Sequence, residues 1–328
     1  MPSTMTHCYF AKDVYNKINN NSRKKINGCL DKLLTFSMGS DPFMFYHFFV
    51  GKKSKEVANI QKIVHTEKTN DYFYNIMNYI IKNNLTNEKE AIAFLYGMIC
   101  HYFLDKNTHP FIYYKSGIFD KNNIDTYKYN TLHHKIEYAI DIYMIKKREK
   151  EHYSSFKFYK NIFNVNNLNK NLNDMINNVF MDTYNIKNAS KLYLKSLKYM
   201  FWFNRLFNYD KYGIKKEIYK LIDKITGNKH LRIEVLSYNT NNSDVSSYLN
   251  LKKEKWNHPC DLSETYNYSF FDLYDISINE CVNCINDLNI ILENKNIDMK
   301  IFNKHFKDLS YVNNKKWNKV IELKYFEF

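Results

Sequence analysis

The chain has 328 residues, of which 45% are hydrophobic, 17% aromatic and 25% charged, a composition that excludes wholesale intrinsic disorder. Seven glycines and four prolines are too few for the many turns of β-sandwiches and barrels, so we predict an all-α protein. The formal net charge of +14 is typical of proteins that attract anions, but arginine, the usual residue for bidentate phosphate recognition, supplies only four of the 48 cations.

The sequence also predicts where the protein is found. The longest apolar run without charges, residues 91–104, is too short to span a bilayer. The first 30 residues carry several charges and no apolar block, which argues against a signal peptide. Six cysteines in a chain of this length do not resemble a disulfide framework. We therefore expect a cytoplasmic protein.

Apolar residues at helical spacing predict helices along most of the chain. The predicted helices lie near residues 10–18, 26–34, 65–82, 91–104, 132–147, 168–182, 189–207, 215–225 and 274–292. Residues 91–104 are apolar on nearly every face, so we expect this helix to be buried at the centre. Thr86 or Asn87 is predicted to cap it, with Glu90 completing a capping box for Asn87, and the helix is expected to end before Asn107-Thr108-His109-Pro110.

The remaining segments define the predicted domain organisation. Residues 228–260 have no clear period and are the candidate region for a short strand pair, with a long polar loop at 239–244. We predict one helical domain over residues 1–295. Residues 296–328 are predicted to form a basic, aromatic C-terminal extension that packs on or beside that domain.

Histidines and acidic residues occur at the spacing of metal ligands. His101 and Asp105 are four residues apart on the predicted central helix, which places both side chains on one face. His109 follows four residues later, and His133 with Glu137 repeats the spacing on another predicted helix. Imidazole and carboxylate groups presented as i,i+4 pairs favour a divalent metal such as zinc.

The spacing alone is weak evidence, because chance also produces it. A third such pair, His230 and Glu234, lies in the aperiodic segment, and we interpret it as surface. His101 and Asp105 interrupt the most apolar helix, where the alternative is a buried pair that simply satisfies its own hydrogen bonds. His134 points about 100° away from His133 on the same helix, so we expect it to lie outside the site.

Six short blocks, in order, resemble the zinc-dependent phospholipase C family. They cover residues 6–10, 39–43, 64–69, 100–105, 108–110 and 133–137. Members of this family are all-α phosphodiesterases with a trinuclear zinc site, and they share their fold with single-strand-specific zinc nucleases. The resemblance therefore implies a multi-helix bundle around two or three Zn²⁺ ions.

The resemblance also implies the role of each residue. The metal ligands would be His7, Asp41, His65, His101, Asp105, His109, His133 and Glu137. Asp105 would bridge two ions, and Asp41 would be both a ligand and the candidate catalytic base. A third ion would bind His7 and Asp105, but secreted members also use a processed N-terminal residue there, whereas this chain begins Met1-Pro2-Ser3.

The predicted function is that of a zinc-dependent phosphoester hydrolase similar to phospholipase C. A metal-bound hydroxide would attack phosphorus in line. The substrate would be a phospholipid or another phosphodiester, with peripheral contact with an anionic membrane. Two alternatives remain open: a nuclease-like phosphodiesterase acting on single-stranded nucleic acid, and a non-catalytic helical protein stabilised by zinc.

Overall fold

The chain folds into packed α-helices with one small β-hairpin. A computed structural model describes residues 4–120, 122–149, 167–207, 210, 212–226, 233–236, 245–319 and 322–327. Its helices are α1 (Thr4–Lys17), α2 (Asn20–Lys25), α3 (Leu30–Phe36), α4 (Lys52–Thr66), α5 (Thr69–Lys82), α6 (Lys89–Ser116), α7 (Leu132–Glu149), α8 (Lys170–Tyr184), α9 (Ala189–Leu206), α10 (Ile214–Thr226), α11 (Val245–Tyr248), α12 (Phe270–Asn294) and α13 (Met299–His305). The predicted all-α class is confirmed.

Shorter elements connect these helices. In the described ranges, 3₁₀ segments cover Asp41–Phe49, which is interrupted by non-helical backbone at residues 46–48, Ile124–Tyr129 and Ile233–Leu236. Strands β1 (Trp256–His258) and β2 (Asp261–Tyr266) form an antiparallel hairpin, later in the chain than most of the region predicted for a strand pair. His230 and the loop predicted at 239–244 lie outside the described residues.

Helix α6 is the buried centre, as its apolar sequence predicted. Its residues from Ala91 to Lys106 are all buried, and the helix packs on α3, α7 and α12. The predicted capping box was wrong: Glu88 is the N-cap, and its side chain accepts a hydrogen bond from the Ala91 amide at 2.6 Å. A carboxylate at the positive end of a helix also stabilises the helix dipole.

The predicted end of this helix before Asn107 was also wrong. Helix α6 continues through Pro110 to Ser116. An interior proline removes one hydrogen bond and costs about 3 kcal/mol. Phe111 and Ile112, which follow it, are completely buried, and their packing offsets that cost. His101, Asp105 and His109 therefore lie on three successive turns of a single helix.

The helix predicted over residues 65–82 is two helices. Helix α4 ends at Thr66, and Lys68 has a left-handed φ of 52° that redirects the chain into α5. The Thr69 hydroxyl donates a hydrogen bond to the Leu309 carbonyl at 3.0 Å, which ties this bend to the C-terminal segment. His65 thus lies in the last turn of α4.

A buried carboxylate positions the beginning of α1. Asp141 on α7 accepts hydrogen bonds from the Met5 amide at 2.9 Å and from the Thr6 amide and hydroxyl at 2.8 and 2.6 Å. Amides at a helix N-terminus have no partners within the helix, so an acidic side chain there stabilises it. This contact holds His7, on the first turn of α1, next to α6 and α7.

The C-terminal residues contact the helical body closely. The Phe306 ring stacks on Phe73 with centroids 4.4 Å apart, and the side chains of Phe302 and Phe306 are buried. The domain boundary between residues 295 and 296 stays a prediction. Among the described residues, none of the helices combines the length and the apolarity required to cross a bilayer.

Candidate metal centre

Four buried side chains from three segments meet at one point. Asp41 begins a 3₁₀ segment, His65 ends α4, and His101 and Asp105 lie on α6. One ligand atom from each residue lies within 4.8 Å of the others. We call these four residues the first group.

The distances within the first group match the edges of a tetrahedron. His65 Nε2 lies 3.3 Å from Asp41 Oδ1 and 3.2 Å from Asp105 Oδ2. His101 Nε2 lies 3.5 and 3.2 Å from the same two oxygens, and 3.1 Å from His65 Nε2. Ligand atoms at about 2.1 Å from a tetrahedral zinc ion lie about 3.4 Å apart. The first group therefore fits one such ion.

The outer nitrogen of each histidine in the first group is held by a main-chain carbonyl. His101 Nδ1 donates to the Ser37 carbonyl at 3.2 Å, and His65 Nδ1 donates to the Gln61 carbonyl at 3.0 Å. A carbonyl can only accept, so both Nδ1 atoms carry hydrogen and both Nε2 atoms point inward. This is the arrangement by which proteins orient histidine ligands.

The charges of the first group suit a cation. Burial alone would raise the pKa of Asp105, but His101, His109 and His7 hold it well below the usual value. Burial lowers the pKa of His101 to about 4, so its ring is neutral. Burial also lowers the pKa of His65, but hydrogen bonds with Asp105 and Asp41 raise it to about 9. The His65 ring is therefore protonated in the metal-free protein. Metal binding would displace that proton.

A second group lies between α6, which contributes His109, and α7, which contributes His133 and Glu137. Ligand atoms of His109, His133 and Glu137 lie within 4.8 Å of one another. His133 Nε2 is 2.8 Å from Glu137 Oε1 on the next turn of α7. His134 is more exposed, and its Nδ1 lies 3.7 Å from Glu137 Oε2. Thus His134 lies at the rim, close to the second group but outside it.

His7 lies between the helices at the edge of the first group. Its ring stacks on His101 with centroids 4.5 Å apart. Its Nε2 lies 3.3 Å from Oδ1 of Asp105, whereas the other oxygen, Oδ2, faces His65 and His101. The two oxygens of Asp105 therefore point to different sets of nitrogen atoms, which is the geometry that a bridging carboxylate needs.

Several buried polar atoms at this centre lack hydrogen bonds. Within the described part of the chain, both ring nitrogens of His7, Oδ1 of Asp105 and Nε2 of His109 make no hydrogen bond. Such atoms are costly to bury unless they bind something. A self-sufficient hydrogen-bonded pair between His101 and Asp105 leaves them unexplained, whereas divalent metal ions fit them. The residues present therefore fit a multinuclear metal site.

Two contacts of this centre were not predicted from the sequence. The carbonyl of Tyr311 accepts a hydrogen bond from His109 Nδ1 at 2.7 Å, and the Tyr311 amide donates to the His65 carbonyl at 2.9 Å. Gly39 lies against His101, and a Cβ at position 39 would approach Cδ2 of that ring to 2.2 Å. The C-terminal segment and one glycine thus help to place the histidines.

Comparison with known proteins gives one match. A family model described as zinc dependent phospholipase C matches residues 6–190, more than half of the chain, and this segment contains every residue of both groups and His7. No curated protein and no solved structure matches the chain.

Proposed function

Because the chain belongs to the zinc-dependent phospholipase C family, we propose that it is a zinc-dependent phosphodiesterase with a phospholipid as its leading substrate. The observation that carries this proposal is the buried first group with the second group beside it, because His109 of the second group lies one turn after Asp105 on α6. Nitrogen and oxygen ligands at these spacings, in a family of phosphoester hydrolases, support catalysis by two or more metal ions.

Each set of candidate ligands would bind a different metal ion. Asp41, His65, His101 and Asp105 would hold one ion, and His109, His133 and Glu137 would hold a second. His7 and Oδ1 of Asp105 are the groups available for a third. Zinc at such sites activates water as a nucleophile and stabilises the negative charge that develops on phosphoryl oxygens.

Asp41 is the candidate base of the reaction. Burial would raise the pKa of this carboxyl, but the neighbouring His101 and His65 lower it below the usual value. Asp41 is therefore ionised at neutral pH and can accept a proton from an attacking water. Gln61 donates to its Oδ1 at 3.4 Å, a contact that helps to orient the carboxylate.

Aromatic rings hold the histidines in place. The Tyr311 ring packs against His65 at 4.9 Å, and Tyr113 packs against His133 at 4.8 Å and His109 at 5.8 Å between centroids. These contacts restrict rotation of the imidazoles, and His65 and His109 are also buried away from water. A preorganised centre in a dry environment makes electrostatic stabilisation stronger.

The proposal is tested by measuring metal content and turnover of the purified chain together. We expect bound zinc by elemental analysis, hydrolysis of bis-p-nitrophenyl phosphate and of phospholipid vesicles, loss of both activities with a chelator, and recovery when zinc is restored. Bound zinc without turnover of any ester would support a structural role for the metal. Cleavage of single-stranded oligonucleotides but not of phospholipid would instead support a nuclease.

Adjacent histidines on α7 provide a matched pair of variants. His133→Ala removes a ligand of the second group, so we expect zinc affinity and turnover to fall by about 100-fold or more. His134→Ala removes an exposed ring at the rim, and we expect less than about a twofold change. An equal loss of zinc and turnover in both variants would show that the second group is wrongly assigned.

A further inference from the structure

Helix α10 presents an apolar stripe to solvent. Ile214, Ile218, Leu221 and Ile225 follow the spacing i, i+4, i+7 and i+11, which places them on one face. These four side chains are between 51% and 75% exposed. A continuous exposed face of large aliphatic residues marks an interaction surface, whereas isolated apolar side chains do not.

The opposite side of α10 packs on the protein. Tyr219 is buried and lies against Phe207, with ring centroids 5.1 Å apart. The Asp223 carboxylate accepts hydrogen bonds from the main-chain amides of Ile233 and Glu234 at 2.8 and 2.9 Å. The aliphatic face thus points away from the body, the reverse of an ordinary amphipathic helix in a globular protein.

The end of α9 extends this surface. Trp202 and Leu206 are one turn apart and exposed, and the Arg205 guanidinium lies over the Trp202 ring at 4.8 Å. Lys215 Nζ donates to the Leu206 carbonyl at 3.3 Å, so α10 begins next to these residues. Tryptophan with neighbouring cations is typical of segments that lie at a membrane–water interface.

The charges of α10 favour an anionic partner. Helix α10 carries four lysines and two acidic residues; Asp223 accepts hydrogen bonds from main-chain amides, and Glu217 pairs with Lys220 at 2.7 Å, which leaves an excess of two positive charges. Lys220 and Lys224 are exposed. A second copy of the chain docked through the same face would bring like charges together, which is unfavourable. An anionic lipid surface instead complements both the lysines and the net charge of +14.

We propose that α10 and the end of α9 form a membrane-docking surface, and that the aliphatic face of α10 inserts into the interface of an anionic phospholipid bilayer. None of the described helices is suited to cross a membrane, so binding would be peripheral. Helix α10 lies outside residues 6–190, the segment that matches the family. This inference goes beyond the proposed function and does not depend on it, because binding requires no turnover.

The experiment measures co-sedimentation of the full chain with vesicles of phosphatidylcholine alone and of phosphatidylcholine mixed with phosphatidylserine. We expect the chain to bind the mixed vesicles more tightly, and added salt to weaken that binding. The double variant Ile218→Asp/Leu221→Asp should bind the mixed vesicles at least about tenfold more weakly. The matched control, Leu262→Asp/Ile290→Asp, places the same charges at side chains that are 55% and 47% exposed elsewhere, and should bind within about twofold of the original chain.

A second variant distinguishes a loss of membrane binding from misfolding. Lys220→Glu/Lys224→Glu reverses two exposed charges and breaks only the exposed ion pair of Lys220 with Glu217, and it should weaken binding to the mixed vesicles by about tenfold or more while circular dichroism and zinc content stay unchanged. Equal binding by the original chain and both α10 variants would overturn the proposal, as would no binding by the original chain. A dimer that becomes monomeric in the Ile218→Asp/Leu221→Asp variant would also overturn it, because the partner would then be a second copy.

Discussion

Asp105→Asn is expected to remove bound zinc and much of the thermal stability together. The two oxygens of Asp105 face His7 on one side and His65 and His101 on the other, at 3.2–3.3 Å. Asparagine keeps the size of the side chain but lacks the charge that balances a buried cation. We expect the affinity for at least one zinc ion to fall by about 100-fold or more.

The measurement combines zinc stoichiometry with melting temperature, each with and without a chelator. Ligand binding stabilises only the folded state, so a chelator should lower the melting temperature of the original chain and hardly change that of the variant. Asp174→Asn, which changes an exposed carboxylate on α8, is the control and should behave as the original chain does. Unchanged zinc stoichiometry in Asp105→Asn would contradict the bridging role.

Gly39→Ala should disrupt the same centre without replacing any of its candidate ligands. Gly39 has a left-handed φ of 56°, and an added Cβ would lie 2.2–2.7 Å from three atoms of the His101 ring. That ring cannot easily move, because it stacks on His7 and donates to the Ser37 carbonyl. We therefore expect the zinc affinity of the first group to fall by about tenfold or more, with reduced turnover.

Gly28→Ala isolates the effect of backbone strain. Gly28 also has a left-handed φ, of 83°, but no atom lies within 4 Å of the position that its Cβ would occupy. This control should lower the free energy of unfolding by about 1 kcal/mol and leave zinc binding unchanged. If the two variants lose zinc equally, the contact between residue 39 and His101 does not govern the metal centre.

Helix periodicity predicts one part of the centre from the sequence alone. His101 with Asp105, and His133 with Glu137, are i,i+4 pairs, and such pairs share a face on any α-helix. Their separation in space depends only on local geometry, which the apolar pattern of the helix already indicates. The buried position of α6 followed in the same way from its apolar residues.

Other parts depend on contacts that residue type does not reveal. The pattern around His109-Pro110 indicates a helix end, yet the burial of Phe111 and Ile112 keeps α6 intact. The close approach of Gly39 to His101 joins segments that are far apart in sequence. The Tyr311 carbonyl belongs to the main chain, and every residue has one, so no choice of amino acid marks it as a partner of His109.

That same hydrogen bond sets an order of events during synthesis. His109 and Tyr311 are 202 positions apart, so at ribosomal rates of about 5–20 residues per second the acceptor emerges about 10–40 s after its donor. All candidate ligands, from His7 to Glu137, are translated before the tail that orients two of them. If these residues bind metal as proposed, a nascent chain could do so early only in a looser arrangement, because His109 gains its main-chain acceptor only after Tyr311 has been synthesised.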